Sequence, residues 1–251
     1  MVSLARRATY LRRRGPRRPW RSLGRLALRV VRGGALAGSA FILASVILVD
    51  IAGLVGVPPS ILMGQRALAG ENIRRDAVPL TRISPHLVNA VIGAEDSRFC
   101  THDGFDTEAI REALENLRSG GRRRGASTIS QQTAKNIFLW NGGGWMRKGM
   151  EVWFTALIET SWPKRRIIEA YLNIAEWGDG IFGAEAAAQA RFGVSAADLT
   201  PRQAALLAAV LPNPNEWRVD PPGNYVAGRA STLEARAGVV RREGFAACVS
   251  G

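Results

Sequence analysis

The feature that most constrains this chain is a long apolar segment near its N-terminus. From Gly33 to Val49 the sequence GGALAGSAFILASVILV carries no charge, and beyond Asp50 it continues as IAGLVGV to Val57. A helix rises about 1.5 Å per residue, so a segment of this length spans a bilayer core of roughly 30 Å. Asp50 would lie toward one end, where an acid costs less than at the centre. The pattern predicts one transmembrane anchor over residues 33–57.

Charge is distributed very unevenly along the chain. Residues 1–32 contain eleven arginines and no acidic residue, and they carry most of the net charge of +13. Such an arm is typical of nucleic-acid binding, but the adjoining apolar span indicates a membrane protein with no nucleic-acid partner. Positively charged flanks stay in the cytoplasm, which predicts a single-pass inner-membrane protein with a cytoplasmic tail over 1–32 and a periplasmic domain over 58–251. A cleaved signal peptide is the alternative, although no clear A-x-A site follows the apolar run.

The two cysteines, Cys100 and Cys248, both fall in the part predicted to be exported. An oxidising compartment permits a disulfide between them. Two unpaired thiols fit the sequence equally well, so both alternatives stay open.

Helical patterns dominate from about residue 60 onward. Candidate N-caps stand before three amphipathic stretches: Ser84, then Asp106 or Thr107, then Thr128 in a capping box with Gln131. No alternating strand pattern of useful length is present, and residues 218–251 show no clear pattern. These features predict a mainly α domain.

The stretch AVIGAEDSRFCTHDGFD, residues 90–106, concentrates acidic residues around a histidine. Glu95 and Asp96 are adjacent, so on a helix they would project about 100° apart and could not share one ion or proton. A histidine metal site needs converging ligands, which this part of the chain does not provide. His102 is expected to donate a structural hydrogen bond. Taken alone, the stretch fits an ordinary capped helix end as well as a catalytic site.

Lysine is rare in this chain, because 31 of the 34 basic residues are arginine. The placement of Lys135, Lys148 and Lys164 suggests positions where a compact ammonium is favoured over a planar guanidinium, and chance placement is the alternative. Lys135 shares a helix face with Gln131, and Lys148 shares one with Glu151. The alternative for the second pair is a solvated salt bridge of little energetic weight.

Taken in order, these blocks resemble the five motifs of the peptidoglycan glycosyltransferases of family 51. The matching segments are EDSRFCTHDGFD, GASTISQQTAKN, RKGMEVWFTALIE, KRRIIEAYLNIAEWGDGIFGAEAAAQARFG and LTPRQAALLAAVLPNPNEW, within about residues 84–217. The last motif departs from the family pattern at Gln203, where an acid is more usual. The resemblance implies a mainly α, lysozyme-like, two-lobed domain whose smaller lobe dips into the membrane. A single N-terminal span and no room for a second catalytic domain point to a monofunctional member.

The resemblance also implies the chemistry, namely polymerisation of lipid II into linear glycan strands with inversion and release of undecaprenyl pyrophosphate. It makes Glu95 the catalytic base and Glu151 the second catalytic glutamate, placed near the phosphates or holding the lysine. The expected substrate-binding residues are Asp96, Phe99, His102, Ser127, Thr128, Gln131, Gln132, Lys135, Asn136, Arg147 and Lys148. The N-terminus of the helix that opens at Thr128 would add its dipole at the phosphates.

The expected partners are lipid II, the growing glycan chain and the membrane, with other wall-synthesis or division proteins as further candidates. No obligatory cofactor and no dedicated metal ligands are expected, although a divalent cation such as Mg²⁺ is a candidate aid to phosphate release. Arg122, Arg123 and Arg124 fit either a mobile loop over an anionic substrate or a solvated basic loop. Two other functions remain open, a lysozyme-like glycosidase that cleaves the wall and an inactive membrane scaffold.

Overall fold

The computed structural model describes residues 20–121 and 125–250, with side chains from residue 27 onward. The arginines 122–124 and most of the predicted tail lie outside these residues. Two compact units are present, one ending at Ser45 and one spanning Val46–Gly251. Each is described by itself.

The N-terminal helix α1 runs over Trp20–Leu54. Within it, Ala27–Leu54 is long and apolar enough to cross a membrane, with a mean hydropathy of 2.2. Side chains such as Leu36 and Leu43 are well exposed, which suits lipid rather than water. This agrees with the predicted anchor, except that the helix begins before residue 33 and ends at Leu54 instead of Val57.

The second unit is mainly helical, as the sequence patterns predict. Its α-helices are α2 (Ile61–Leu68), α3 (Pro85–Glu95), α4 (Thr107–Arg118), α5 (Ile129–Phe138), α6 (Gly144–Ser161), α7 (Lys164–Ile174), α8 (Ala184–Phe192), α9 (Pro201–Val210) and α10 (Asn224–Arg242). Short 3-10 helices lie at Leu80–Arg82, Ala196–Asp198 and Ala247–Val249.

Each expected helix start has a side-chain cap. Ser84 accepts from His86 N at the start of α3. Asp106, and not Thr107, caps α4 by accepting from Ala109 N. Thr128 and Gln131 form the predicted capping box at α5. These caps are local interactions, so the sequence alone was sufficient to locate them.

A small three-stranded sheet is also present, which the sequence did not indicate. Its order is β1 (Arg74–Arg75), β3 (Ile181–Phe182), β2 (Glu176–Gly178). The β1–β3 pair is parallel and the β2–β3 pair is antiparallel. Strands of two or three residues are too short to show an alternating pattern, so the prediction of a helical domain without strands was incomplete.

Helix α10 lies in the segment for which no structure was predicted. It packs against both α3 and α9. Its buried side chains, Val226, Ala230, Leu233 and Val240, follow helical spacing. They are separated by alanine, glycine and arginine, which gives a weak pattern in the sequence.

The last turns of α1 belong to the second unit, because it begins at Val46 rather than at the predicted boundary of Pro58. Val49 and Ala52 are buried. Trp162 Nε1 donates to the carbonyl of Val49 at 2.9 Å, and Arg166 Nη2 donates to that of Ala52 at 2.9 Å. These contacts fix the end of the helix on α6 and α7.

Cys100 and Cys248 form a disulfide, which decides between the two alternatives left open by the sequence. The bond joins the loop after Glu95 to the 3-10 helix Ala247–Val249, across 148 residues of sequence.

Candidate active site

Glu95 is the last residue of α3 and faces a polar cavity of about 220 Å³. Gln132 Nε2, on α5, donates to Glu95 Oε2 at 2.9 Å. The Tyr171 hydroxyl donates to Gln132 Oε1 at 3.4 Å, which orients the amide with its nitrogen toward the glutamate. Burial, together with the charge of Glu95, raises the pKa of Tyr171 well above its usual value, so the hydroxyl stays protonated and remains a donor.

Asp96 turns away from Glu95 because it is the C-cap of α3 and not a helical residue. Its Oδ1 lies 2.9 Å from His102 Nε2, and its Oδ2 accepts from Ile129 N at 3.0 Å. Gly104 N donates to His102 Nδ1 at 3.2 Å, which leaves the ring proton on Nε2 for Asp96. His102 therefore makes the structural hydrogen bond expected of it, and Asp96 braces the start of α5.

The loop between Asp96 and Asp106 is held close against α5 and α6. Thr128 Oγ1 donates to the carbonyl of Gly104 at 2.7 Å. Gly104 has a φ of +87°, and a Cβ there would lie 2.8 Å from Thr155 Cγ2, so this position favours glycine both by conformation and by space.

Phe99, expected to bind substrate, is fully buried and has no surface to offer a ligand. Lys164 Nζ lies 4.6 Å from the centroid of its ring and donates to the carbonyl of His102 at 2.6 Å and to Glu159 Oε1 at 2.9 Å. Phe99 thus helps to hold the loop in place. Sequence reasoning assigned no role to Lys164, although the rarity of lysine had marked it.

Thr128 and Gln131 are likewise buried and used in the α5 cap instead of facing a ligand. The first amides of α5 are also occupied, since Ile129 N donates to Asp96 and Gln131 N to Thr128. These two amides are therefore not available to a phosphate, and phosphate binding at this helix terminus stays a prediction. Ser127 differs from these residues, because it is exposed and lines the cavity beside Glu95.

One face of α5 remains open. Gln132, Lys135 and Asn136 are its only residues that are not buried, and their spacing of three and four places them side by side. Lys135 makes no hydrogen bond or ion pair with the described residues. Its pKa is lowered, chiefly by burial; the nearby Glu151 carboxylate opposes this shift, and the cations of α6 add to it.

Glu151 lies on α6, which packs against α5, and its side chain is only 5% exposed. Arg147 Nη1 donates to Glu151 Oε2 at 2.8 Å, and Lys148 Nζ is paired with Oε1. The carboxylate is therefore buried and holds two cations. The alternative that Lys148 and Glu151 form only a solvated salt bridge at the surface is excluded. Together with Lys135 these groups form a cationic cluster suited to an anionic ligand.

Asp96, His102 and Asp106 are close enough to hold a metal ion, with potential ligand atoms within 4.8 Å of one another. The carboxylate oxygens are already used, because Asp106 accepts from Ala109 N at 2.9 Å and from Arg98 Nε at 2.8 Å. Burial acts to raise the pKa of Asp106, but these two hydrogen bonds outweigh it and the pKa is lowered. Asp96 and His102 are bonded to each other and Asp106 to Arg98 and Ala109 N, so these side chains serve as structural contacts and do not fit a metal ion.

The fold and this site define a helical enzyme domain with a glutamate at a polar cavity and a cationic cluster on α5 and α6. The transglycosylase family model matches residues 63–240. The chain belongs to the transglycosylase family, whose domain is lysozyme-like, as the sequence resemblance implies.

Similar proteins carry the name biosynthetic peptidoglycan transglycosylase. The protein of Rhodospirillum centenum is 59% identical over 196 residues, covering 77% of this chain and 85% of that protein. The protein of Caulobacter vibrioides is 50% identical over 229 residues, covering 91% of this chain and all of that protein. The protein of Jannaschia sp. is 48% identical over 229 residues, covering 90% of this chain and 94% of that protein.

Proposed function

We propose that this protein polymerises lipid II into linear glycan strands of peptidoglycan, with inversion and release of undecaprenyl pyrophosphate. The observation that carries the proposal is the arrangement along α5. Gln132 holds Glu95 through a 2.9 Å hydrogen bond, and Lys135, one turn further on the same face, lies near the Glu151 group. One face of α5 therefore connects the base at the end of α3, through Gln132, with the cations, through Lys135.

In this proposal Glu95 acts as the general base. A sugar hydroxyl is a poor nucleophile, so a carboxylate within about 3 Å must take its proton as the new C–O bond forms. Glu95 suits this task because its hydrogen-bond partner Gln132 is neutral, which leaves the carboxylate without a paired cation. The hydroxyl oxygen attacks the anomeric carbon from the face opposite the leaving group, and the configuration inverts.

The electron pair of the breaking bond passes to the diphosphate, whose charge must be stabilised as it develops. Preorganised cations in a partly buried site do this effectively, because they need not reorganise during the reaction. Lys135, Arg147 and Lys148 are assigned this role. Glu151 holds Arg147 and Lys148 in position, and is a positioning residue rather than a second acid or base.

We also propose that α1 anchors the protein in the inner membrane with its arginine-rich end in the cytoplasm and the catalytic domain in the periplasm. The Cys100–Cys248 disulfide supports this orientation, because such bonds persist in oxidising compartments and are rare in the cytoplasm. Protease added to intact spheroplasts should then degrade the domain and spare the tail. Protection of the domain would contradict the orientation.

The decisive experiment is incubation of the purified full-length protein with lipid II, followed by separation of the products by size. Glycan polymer from the wild type, and none from Glu95→Gln, is the expected result. A wall-cleaving glycosidase would instead release fragments from sacculi, and a scaffold would do neither. The buried Glu151 group favours the polymerase, because hydrolysis of a finished glycan has no diphosphate to stabilise.

A further inference from the structure

Arg236 reaches the Glu95 cavity from a part of the chain outside the five motifs. It lies on α10, and it lines the same cavity of about 220 Å³ as Glu95, Ser127 and Arg98. A Cβ added at Gly93 would lie 3.4 Å from Arg236 Cβ. The backbone of α10 therefore passes closely over α3, two residues before Glu95, and this packing fixes where the arginine side chain begins.

The guanidinium of Arg236 makes no hydrogen bond or ion pair with any described residue, whereas the other charges of the cavity are mostly paired. Arg98 is bound to Asp106 at 2.8 Å and lies 3.6 Å from Glu112. Asp96 is held by His102 and by α5. Among the described residues, Arg236 is thus the unpaired cation that lines the same cavity as Glu95.

We propose that Arg236 binds a carboxylate of the peptide borne by the sugar units that are joined at Glu95. This inference rests on the proposed function, since lipid II carries such a peptide. A guanidinium matches a carboxylate through two parallel hydrogen bonds. Arg236 is therefore a residue for substrate recognition, and takes no part in proton transfer.

The charge of the cavity favours a carboxylate over a diphosphate. Its described lining includes four acids, Glu95, Asp96, Asp106 and Glu112, against the two arginines Arg98 and Arg236. This excess of acids disfavours a multiply charged diphosphate more strongly than a single carboxylate, and one carboxylate can pair with the one guanidinium of Arg236. The cations suited to a diphosphate are instead grouped around Glu151 on α6.

The test compares Arg236→Gln with Arg242→Gln, a matched change at an exposed arginine of the same helix that does not line this cavity. Both variants and the wild type are assayed with lipid II and with lipid II whose peptide carboxylates are amidated. We expect kcat/KM of Arg236→Gln on lipid II to fall about tenfold, the scale of one charge-assisted hydrogen bond in a partly exposed site. On the amidated substrate the variant and the wild type should be equal, and Arg242→Gln should match the wild type on both.

Two results would overturn this inference while leaving the proposed function intact. One is an unchanged kcat/KM for Arg236→Gln on lipid II. The other is an equal loss on both substrates, which would show that Arg236 acts on the phosphates or only on the fold. The melting temperature of each variant separates an effect on the phosphates from an effect on the fold, since only the second lowers it. Arg236→Lys should retain more activity than Arg236→Gln because it keeps the charge. A wild type that polymerises neither substrate would overturn the proposed function and this inference together.

Discussion

Glu95 and Gln132 are joined by a hydrogen bond of 2.9 Å between the end of α3 and the open face of α5. The donor is a neutral amide whose orientation is set by the Tyr171 hydroxyl. A cation in this position would stabilise the carboxylate as an ion pair and weaken it as a base. The amide instead positions the carboxylate while leaving it able to accept a proton.

We expect Glu95→Gln to lower the polymerisation rate by at least about 100-fold, the usual range for loss of a general base. The shape of the side chain is kept, so the far-UV circular dichroism and the melting temperature should stay close to the wild type. Glu108→Gln, at a half-exposed glutamate that is paired with Arg111 and does not line the cavity of Glu95, is the matched control and should retain activity. Equal activity of the two variants would remove Glu95 from its role.

Lys135 should make activity sensitive to alkaline pH. Its pKa is lowered, chiefly because burial disfavours the ammonium. The charge is present below this lowered pKa and is lost as pH rises through it. Stabilisation of the phosphates should therefore be lost at a lower pH than with an ordinary lysine. The pH–rate profile of Lys135→Arg should have its alkaline limb at higher pH, because a guanidinium stays charged. Coincident limbs for the two proteins would contradict this assignment.

Lys135→Ala should lower the polymerisation rate by about 100-fold or more, because the ammonium stabilises the charge that develops on the diphosphate. A matched change at a surface cation should lower it far less. Arg118→Ala, at an exposed position in the last turn of α4, is the control. Polymerisation of lipid II by each variant measures the difference. Similar losses for both would show that only diffuse positive charge is needed.

Glu151→Gln should impair turnover by disordering Arg147 and Lys148. The amide offers one acceptor and one donor where the carboxylate offers two acceptors, so only one cation can be held well. We expect kcat to fall about 10-fold to 100-fold, together with a lower melting temperature, because two cations lose their buried partner. A change in KM alone, with kcat unaffected, would show that Glu151 acts in substrate binding only.

The sequence was informative wherever the interactions were local. Ser84, Asp106 and Thr128 cap helices through residues two or three positions away, so their roles could be predicted from short stretches. Glu95 and Lys135 also stand in short sequence motifs, so the sequence predicts them as site residues. The helical spacing of α5 places Gln132 and Lys135 on one face, whereas the contact of Gln132 with Glu95 joins residues 37 positions apart.

Contacts between residues far apart along the chain could not be predicted from the sequence. Phe99 was expected to contact substrate, but it is buried and its ring lies 4.6 Å from Nζ of Lys164, a residue of α7 far along the chain. The Cys100–Cys248 bond and the position of α10 over α3 are equally non-local. Arg236 therefore gave no signal, although it lines the cavity of Glu95.

Removing the disulfide should destabilise the domain. A bond between residues 148 positions apart restricts the unfolded chain strongly. In the chain-entropy description this raises the free energy of unfolding by up to about 5 kcal/mol. We expect Cys248→Ser to melt at a lower temperature than the wild type, and a reductant to lower the melting temperature of the wild type alone. The double variant Cys100→Ser with Cys248→Ser is the control, and should not respond to reductant. A wild type that does not respond would show that the bond adds nothing to stability.

Gly53 offers a test of how firmly the end of α1 is held in the domain. A Cβ at this position would lie 2.5 Å from Nε1 of Trp162, whose ring is buried and whose Nε1 donates to the carbonyl of Val49. Alanine would normally favour a helix by about 0.5–1 kcal/mol. Here the indole must move and break its hydrogen bond, which costs about 1–3 kcal/mol and outweighs that gain.

Gly53→Ala should therefore lower the melting temperature in detergent, whereas Gly64→Ala should leave it unchanged or raise it slightly. Gly64 is the matched control because it also lies in a helix and has open space where a Cβ would be added. A chain shortened to begin at Pro58 should be less stable than one beginning at Val46, because it lacks Val49 and Ala52 from the core. If Gly53→Ala and the shorter chain both melted like their controls, the last turns of α1 would not belong to the folded domain, and the boundary would return to Pro58.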